Sequence, residues 1–128
     1  MLRIAIDTNR YVDFAKGDPV AVEMFRRADP IAVPIIVLAE LRAGFLCGSR
    51  SAENEKALSR FLSSRRVLVL APNEETTLHY ARLFVQLRHQ GTPVPTNDLW
   101  IAALAIQHHL TLFARDAHFD HLPQIPRL

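Results

Sequence analysis

The chain has 128 residues, 49% of them hydrophobic, which predicts one compact domain spanning residues 1–128. No apolar run reaches the roughly 18 residues that a membrane-spanning helix needs, and the N-terminus does not resemble a signal peptide. Cys47 is the single cysteine, so a disulfide framework is excluded and a reducing cytoplasm is the expected location.

The formal net charge of +2 is only mildly basic and gives weak support for polyanion binding. Thirteen of the 15 basic residues are arginines, whose planar guanidinium groups suit bidentate contacts with phosphate. A GC-rich genome, which favours arginine codons, would produce the same bias. Composition alone therefore leaves nucleic-acid binding open.

The first quarter of the chain predicts a strand and two helices. Residues 4–6 form an apolar run typical of a buried parallel strand, and Asp7 follows where this strand ends. A short helix is expected over residues 10–16. Asp18, as an N-cap before proline, predicts a second helix that runs to about residue 28 and buries Val20, Val22 and Phe25.

The second quarter continues the alternation of strand and helix. Residues 31–33 predict a strand, and Pro34 opens an apolar helix over residues 35–46 that contains one acid, Glu40. A polar helix is expected over residues 51–64. Its inner stripe consists of apolar residues at helical spacing: Leu58, Phe61 and Leu62.

The third quarter contains the strongest strand signal of the chain, residues 67–70. The helix predicted over residues 73–90 carries two neighbouring apolar stripes, one with Leu78, Ala81 and Val85 and the other with Tyr80, Phe84 and Leu87. Together they are wider than the ~100° stripe of a single core contact. Two interpretations stay open: a helix with two core-facing sides, or a helix that presents one side to a second copy of the chain.

The last quarter predicts a central helix and a further strand. A proline-containing loop, residues 91–95, precedes a helix over residues 99–109 that is apolar on most of its surface and must therefore be central. Asp98 lies at the N-terminus of this helix. Residues 111–114 predict a strand, which Asp116 follows closely.

The tail after Phe119 contains two prolines and is expected to end in a short edge strand around Ile125. Strands that alternate with helices place the chain in the α/β class. The predicted architecture is a three-layer α/β/α domain around a central, mostly parallel sheet of about 4–5 strands.

Four acids stand at positions where solvent is not expected. Asp7 and Asp116 each follow an apolar strand, and parallel strands would bring them to the same edge of the sheet, where ligands bind. Glu40 and Asp98 lie on apolar helices whose ends could meet that edge. Each acid also has an ordinary explanation, namely a turn or cap for Asp7 and Asp116, a favourable helix-dipole position for Asp98, and an ion pair with Arg42 or a nearby arginine for Glu40.

A cluster of these acids would need compensation. Two unit charges about 4 Å apart repel by about 4 kcal/mol at an effective dielectric of 20. Several such pairs would rival the whole stability of a domain, ~5–15 kcal/mol. Either some acids stay protonated or a cation occupies the cluster, and hard oxygen ligands select Mg²⁺ or Mn²⁺.

The chain resembles the PIN-domain nucleases, and within them the VapC toxins of prokaryotic toxin–antitoxin pairs, over essentially its full length. Four short pieces carry the resemblance: Ile-Asp-Thr-Asn at 6–9, Ala-Glu-Leu-Arg-Ala-Gly at 39–44, Asn-Asp-Leu-Trp-Ile-Ala-Ala at 97–103 and Arg-Asp-Ala-His-Phe at 115–119. Each piece is only modestly specific. Their order and spacing along the chain are highly specific.

The resemblance implies a Mg²⁺- or Mn²⁺-dependent endoribonuclease that hydrolyses RNA phosphodiester bonds with a metal-activated water. The family's catalytic and metal-binding acids map onto Asp7, Glu40, Asp98 and Asp116, although the fourth position varies in the family. Thr8 and Asn9 match a position that supports the first acid by hydrogen bonding, but they would cap the next helix equally well. Arg42 and Arg115 are candidates to contact RNA phosphate, with surface ion pairs as the alternative.

The resemblance also implies two protein partners. One is a cognate VapB-like antitoxin whose C-terminal segment covers the active site, often through an inserted Arg or Lys. The other is a second copy of the chain, since these relatives are commonly homodimers, in agreement with the broad apolar arc on the helix over residues 73–90.

Other functions compete with this one. A PIN nuclease for RNA maturation and a non-catalytic α/β binding module stay open. A haloacid-dehalogenase-like phosphatase is disfavoured, because position 9 is Asn where a second Asp is required. Zinc is not expected, because the histidines lack a Cys cluster or HExxH spacing and are expected to be exposed or capping: His108, His109, His118 and His121.

Overall fold

The computed structural model describes residues 2–128. Its centre is a four-stranded sheet in the order β3-β2-β1-β4, and every pairing in it is parallel. The strands are β1 (Leu2–Ile6), β2 (Ala28–Pro34), β3 (Val67–Leu70) and β4 (Thr111–Phe113). The predicted α/β class and parallel sheet are confirmed.

Six α-helices flank the sheet and alternate with its strands. They are α1 (Thr8–Ala15), α2 (Pro19–Arg27), α3 (Ile35–Cys47), α4 (Ser51–Leu62), α5 (Glu74–Gln90) and α6 (Thr96–Gln107), and a 3₁₀ helix covers Ala117–His121. Helices α5 and α6 pack on each other, whereas α1 contacts α2 and α3, and α3 contacts α4. Among residues 2–128, none of these helices has the length and apolar character that crossing a membrane requires.

The central position of β1 determines where the site forms. Ile4 pairs with Ile31 of β2 on one side, and Ile6 pairs with Phe113 of β4 on the other. Because β1 and β4 are parallel and in register, the residues after Ile6 and Phe113 leave the sheet side by side. Asp7 is therefore placed next to the segment that contains Asp116.

The buried face of α2 differs from the predicted one. Phe25 and Ala21 are buried, whereas Val20 is 59% and Val22 is 39% exposed. Phe25 stacks on Phe14 with ring centroids 4.5 Å apart, which fixes the inward direction of the helix. A residue four positions before Phe25 lies on the same face, so the small Ala21 takes the buried place that the larger valines were expected to fill.

The apolar arc on α5 divides into a buried and an exposed part. Leu83 and Leu87 face the core, whereas Leu78, Phe84 and Val85 are each about half exposed, at 57%, 48% and 49%. The interpretation of α5 as a helix with two core-facing sides is therefore wrong. One apolar side of α5 is left open at the surface.

The C-terminal tail forms less strand than predicted. The expected edge strand around Ile125 reduces to one parallel bridge between Leu112 and Arg127, although Ile125 itself is buried. Proline has no N–H to donate, so the two prolines of the tail limit the ladder. Arg127 instead anchors the tail by donating to the carbonyls of Ala114 at 2.8 Å and Asp116 at 3.3 Å.

Candidate active site

Asp7 is a buried carboxylate at the end of the central strand. It is the N-cap of α1, where its Oδ1 accepts a hydrogen bond from the backbone N–H of Arg10 at 2.9 Å. Its Oδ2 accepts the backbone N–H of Arg115, beyond β4, at 3.2 Å. Burial raises the pKa of Asp7, and these backbone donors offset only part of that rise.

Glu40 on α3 is held from two sides. The hydroxyl of Thr8 donates to its Oε1 at 2.6 Å, and the side-chain amide of Asn97 donates to its Oε2 at 3.3 Å. Thr8 was expected to support Asp7, but its hydrogen bond goes to the second acid. Asn9 is exposed on the first turn of α1, and its part in the site stays a prediction.

Asp98 and Asp116 meet at a histidine. The Nδ1 atom of His118 lies 2.7 Å from Asp98 Oδ2 and 2.9 Å from Asp116 Oδ1. Asp116 is also the N-cap of the 3₁₀ helix, because its Oδ1 accepts the backbone N–H of His118 at 2.9 Å. One ligand atom from each of the three residues lies within 4.8 Å of the others.

The contacts around the four predicted acids close into a ring, which we call the acidic ring: Asp7, Glu40, Asp98 and Asp116. Thr8, next to Asp7, bonds to Glu40, and Glu40 bonds to Asn97, next to Asp98. Asp98 is joined through His118 to Asp116, and the amide beside Asp116 returns to Asp7. Elements from all parts of the chain thus bring the four acids to one edge of the sheet.

Asp98 is the member of the acidic ring whose pKa is raised by the charges of other members. Burial is the largest cause that raises the pKa of Asp98, and the nearby charges of Asp116 and Glu40 raise it further. The hydrogen bond and charge of His118 act in the opposite direction. The contact with His118 therefore offsets part of the cost of ionising Asp98.

His118 is the site residue that the sequence did not identify. Its side chain is 43% exposed, as was expected of the histidines, but its ring also contacts two of the four acids. A lone histidine has no diagnostic spacing, so the pattern of histidines could not reveal it. Its position two residues after Asp116, inside the motif at 115–119, was the available signal.

The two arginines considered for RNA contact are both engaged in ion pairs. Arg42 donates to both carboxylate oxygens of Glu55 at 3.1 Å. Arg115 pairs in the same way with Asp13, at 3.0 and 3.1 Å. Both arginine side chains are about half exposed, at 48% and 54%, and their contact with RNA stays a prediction.

The donor set of the acidic ring fits a divalent metal ion. Carboxylate oxygens are the ligands that hard divalent cations prefer, and imidazole nitrogen is a common ligand of transition metals. Burial and, to a smaller extent, the like charges of Asp116 and Glu40 raise the pKa of Asp98, so its ionised form is destabilised without a cation. The cluster can therefore bind a metal ion.

Comparison with known proteins assigns the family. The model of the PIN domain matches residues 4–125, nearly the whole chain. The protein therefore belongs to the PIN-domain family, and the acidic ring lies within the matched region. Among characterised relatives, the chain is similar to Ribonuclease VapC1 of Haemophilus influenzae, with 31% identity over 115 residues, covering 87% of this chain and 84% of the relative.

Solved structures agree with this assignment. The chain is similar to a chain in the crystal structure of VapBC2 from Rickettsia felis bound to a DNA fragment from their promoter, with a TM-score of 0.84 and 28% identity. That match covers 100% of this chain and 98% of the other. A chain in the structure of VapBC-1 from nontypeable Haemophilus influenzae has a TM-score of 0.85 and 28% identity, with coverage of 100% and 97%.

Proposed function

We propose that the protein is a metal-dependent endoribonuclease, the toxin of a VapBC-type toxin–antitoxin pair. The acidic ring at the edge of the parallel sheet is the observation that carries this proposal. Ring-shaped clusters of carboxylates are costly unless they hold a cation, and divalent cations share their sites readily with phosphate oxygens. The names of the relatives, which are ribonucleases, support RNA as the substrate.

Mg²⁺ or Mn²⁺ is the proposed cofactor, held by Asp7, Asp98, Asp116 and Glu40. When bound, the ion acts as a Lewis acid toward phosphate and lowers the pKa of water so that a nucleophile is available near neutral pH. The protein contributes the arrangement of its acids. Backbone amides of Arg10 and Arg115 fix both oxygens of Asp7, which leaves its carboxylate little freedom to rotate.

Glu40 has a separate task in this proposal. Thr8 and Asn97 donate to its two oxygens, so the carboxylate is oriented before substrate arrives. Each carboxylate oxygen has more than one lone pair, so these contacts leave acceptor capacity on Glu40. Glu40 then binds metal or orients the attacking water.

Cleavage of a pool of structured RNAs tests the function. We expect cutting by the wild type with Mg²⁺ or Mn²⁺, none with EDTA, and a loss of at least about 100-fold in Asp98→Asn. Glu23→Gln is the control, because Glu23 is an exposed acid on α2 that pairs with Arg26. Equal cutting by the wild type and Asp98→Asn would contradict the proposal, since it would show that a contaminating nuclease is responsible.

A VapB-like antitoxin is the proposed heterologous partner, because the similar solved structures are VapBC complexes. A cationic side chain of the antitoxin would take the place of the metal in the acidic ring, by the same electrostatic logic. The test is coexpression with the product of a small adjacent gene. A stable complex that suppresses cleavage is expected, and free cleavage in its presence would contradict the pairing.

A second copy of this chain is the proposed partner for the exposed side of α5. Phe84 and Val85 are large apolar side chains that a monomer leaves half exposed. A cavity of about 230 Å³ is lined by Phe84, Val94 and Leu99 among others, and it offers room for an apolar side chain of the partner. Contiguous exposed apolar surface of this kind marks protein–protein contact.

A further inference from the structure

The imidazole of His118 lies between two acids of the acidic ring, and the proposed function gives it no role. Its Nδ1 atom lies 2.7 Å from Asp98 Oδ2 and 2.9 Å from Asp116 Oδ1. Ionised carboxylates only accept hydrogen bonds, and Nδ1 carries at most one hydrogen. One N–H therefore faces two acceptors, and it can align fully with only one of them. The three atoms therefore face one another in an arrangement that a single N–H hydrogen satisfies only in part.

The distances from Nδ1 of His118 to the two carboxylate oxygens match the separation of adjacent corners of a coordination octahedron. Metal–ligand distances of about 2.0–2.1 Å place neighbouring octahedral ligands about 2.9 Å apart. The two separations measured from Nδ1 lie close to that value. Both acids and the histidine are also partly exposed, so an ion can reach them from solvent.

We propose that Nδ1 of His118 is a ligand of the divalent ion held by Asp98 and Asp116, and that this nitrogen shifts the preference of the site from Mg²⁺ toward Mn²⁺. The inference rests on the proposed metal-dependent function and adds a residue to the site. An all-oxygen site suits Mg²⁺, whereas imidazole is a ligand of the transition metals. Replacement of one oxygen by nitrogen therefore changes which ion binds more tightly.

A purely structural role makes a different prediction. If His118 only donated a hydrogen bond that holds Asp98, asparagine would replace it, because its side-chain amide can donate from a similar position. Asparagine lacks the imidazole nitrogen, so it can offer a metal ion only its amide oxygen and no nitrogen ligand. His118→Asn thus separates a ligand from a positioning residue, and His118→Ala removes both contributions.

The experiment uses Mn²⁺ itself as the probe, in the full-length protein without RNA. Bound Mn²⁺ is counted by electron paramagnetic resonance, and pulsed measurements of electron spin echo modulation detect a directly bound ¹⁴N nucleus. We expect ¹⁴N modulation in the wild type and its loss in both His118→Asn and His118→Ala. His121→Ala is the matched control, because His121 lies on the same 3₁₀ helix with an exposed position and should leave the signal unchanged.

Competition between the two ions gives a second readout. The ratio of the Mg²⁺ to the Mn²⁺ dissociation constant should fall by about tenfold in His118→Asn and His118→Ala, and stay within about twofold in His121→Ala. If His118→Asn has the same ratio of dissociation constants as the wild type, the proposal is overturned and His118 is a positioning residue. Bound Mn²⁺ without ¹⁴N modulation in the wild type would overturn it as well.

Failure of this inference is distinguishable from failure of the proposed function. Asp98→Asn is measured in parallel, and it should lose Mn²⁺ whether or not His118 is a ligand. Binding that depends on Asp98 but shows no nitrogen would overturn only the role of His118. Absence of Mn²⁺ binding in the wild type would overturn both the ligand and the metal-dependent nuclease.

Discussion

The hydroxyl of Thr8 donates a 2.6 Å hydrogen bond to Glu40, which joins the first turn of α1 to the middle of α3. Asp7 caps the same turn of α1, so one short segment fixes one acid of the ring by its own carboxylate and a second acid by the next side chain. The relative positions of Asp7 and Glu40 therefore depend on the start of α1 rather than on direct contact between them.

Removal of the Thr8 hydroxyl should reduce cleavage without unfolding the protein. Thr8→Val keeps the shape of the side chain, and loss of a partner that orients a functional carboxylate typically costs about 10–100-fold in activity. The rate of RNA cleavage in Mg²⁺ measures the effect. Thr77→Val is the control, because the Thr77 hydroxyl donates only to the carbonyl of Glu74 on the exposed side of α5. Similar rates for both variants would show that Thr8 does not orient Glu40.

The two paired arginines give a prediction about RNA binding. Arg42→Ala and Arg115→Ala should each weaken binding of a labelled RNA and reduce the slope of log affinity against log salt by about 0.7. The measurements use an Asp98→Asn background in EDTA, so that the RNA stays intact. Arg26→Ala is the matched control, because Arg26 is also exposed and paired with an acid, Glu23, but lies on α2. An unchanged salt slope in Arg42→Ala and Arg115→Ala would limit both residues to ion pairing.

The raised pKa of Asp98 makes stability depend on pH in the absence of metal. Its pKa is raised by burial and by like charges, so the folded state binds this proton more tightly than the unfolded chain does. Between the ordinary carboxyl pKa near 4 and the raised value, the folded state holds more protons, and the free energy of unfolding must fall as pH rises.

Asp98→Asn removes this titrating group and should make the free energy of unfolding depend less on pH. Thermal unfolding in EDTA between about pH 4 and 7 measures it, and the Tm of Asp98→Asn minus that of the wild type should increase with pH. A difference in Tm that is constant or decreases with pH would contradict the assigned direction.

Dimer formation through the exposed side of α5 can be tested by placing a charged residue on that side. Val85→Asp should convert a dimer to a monomer in size-exclusion chromatography with light scattering, because burial of an unpaired carboxylate in an interface is strongly unfavourable. Val20→Asp is the matched control, since Val20 is 59% exposed on α2 and Val85 is 49% exposed. A wild type that is already monomeric at high concentration would contradict the dimer.

The sequence predicted the strands and the adjacent positions of Asp7 and Asp116 for a common physical reason. Apolar runs of β-branched and aliphatic residues identify β1, β2 and β4, and a parallel sheet sends everything that follows such strands to one edge. Asp7 and Asp116 could be placed next to each other on that ground alone. Their separation in sequence did not matter, because strand direction determines the edge.

Other features depended on tertiary contacts that periodicity does not contain. The buried face of α2 is set by the stacking of Phe25 on Phe14, and spacing alone did not distinguish Ala21 from Val22. Val67–Leu70 has the composition of a central strand but lies at an edge, with Leu68 40% and Val69 43% exposed. The role of His118 depends on the turn that Asp116 caps, which brings its ring back toward α6.

The hydrogen bond between Asp7 and the amide of Arg115 joins residues 108 positions apart. Contacts of such long sequence separation cost loop-closure entropy, and this one can form only when the end of β4 lies beside the end of β1. The acidic ring is consequently incomplete in any partly folded chain in which β4 has not yet joined β1. RNA cleavage that depends on the complete acidic ring therefore requires the complete sheet, and it should be lost when β4 detaches from β1.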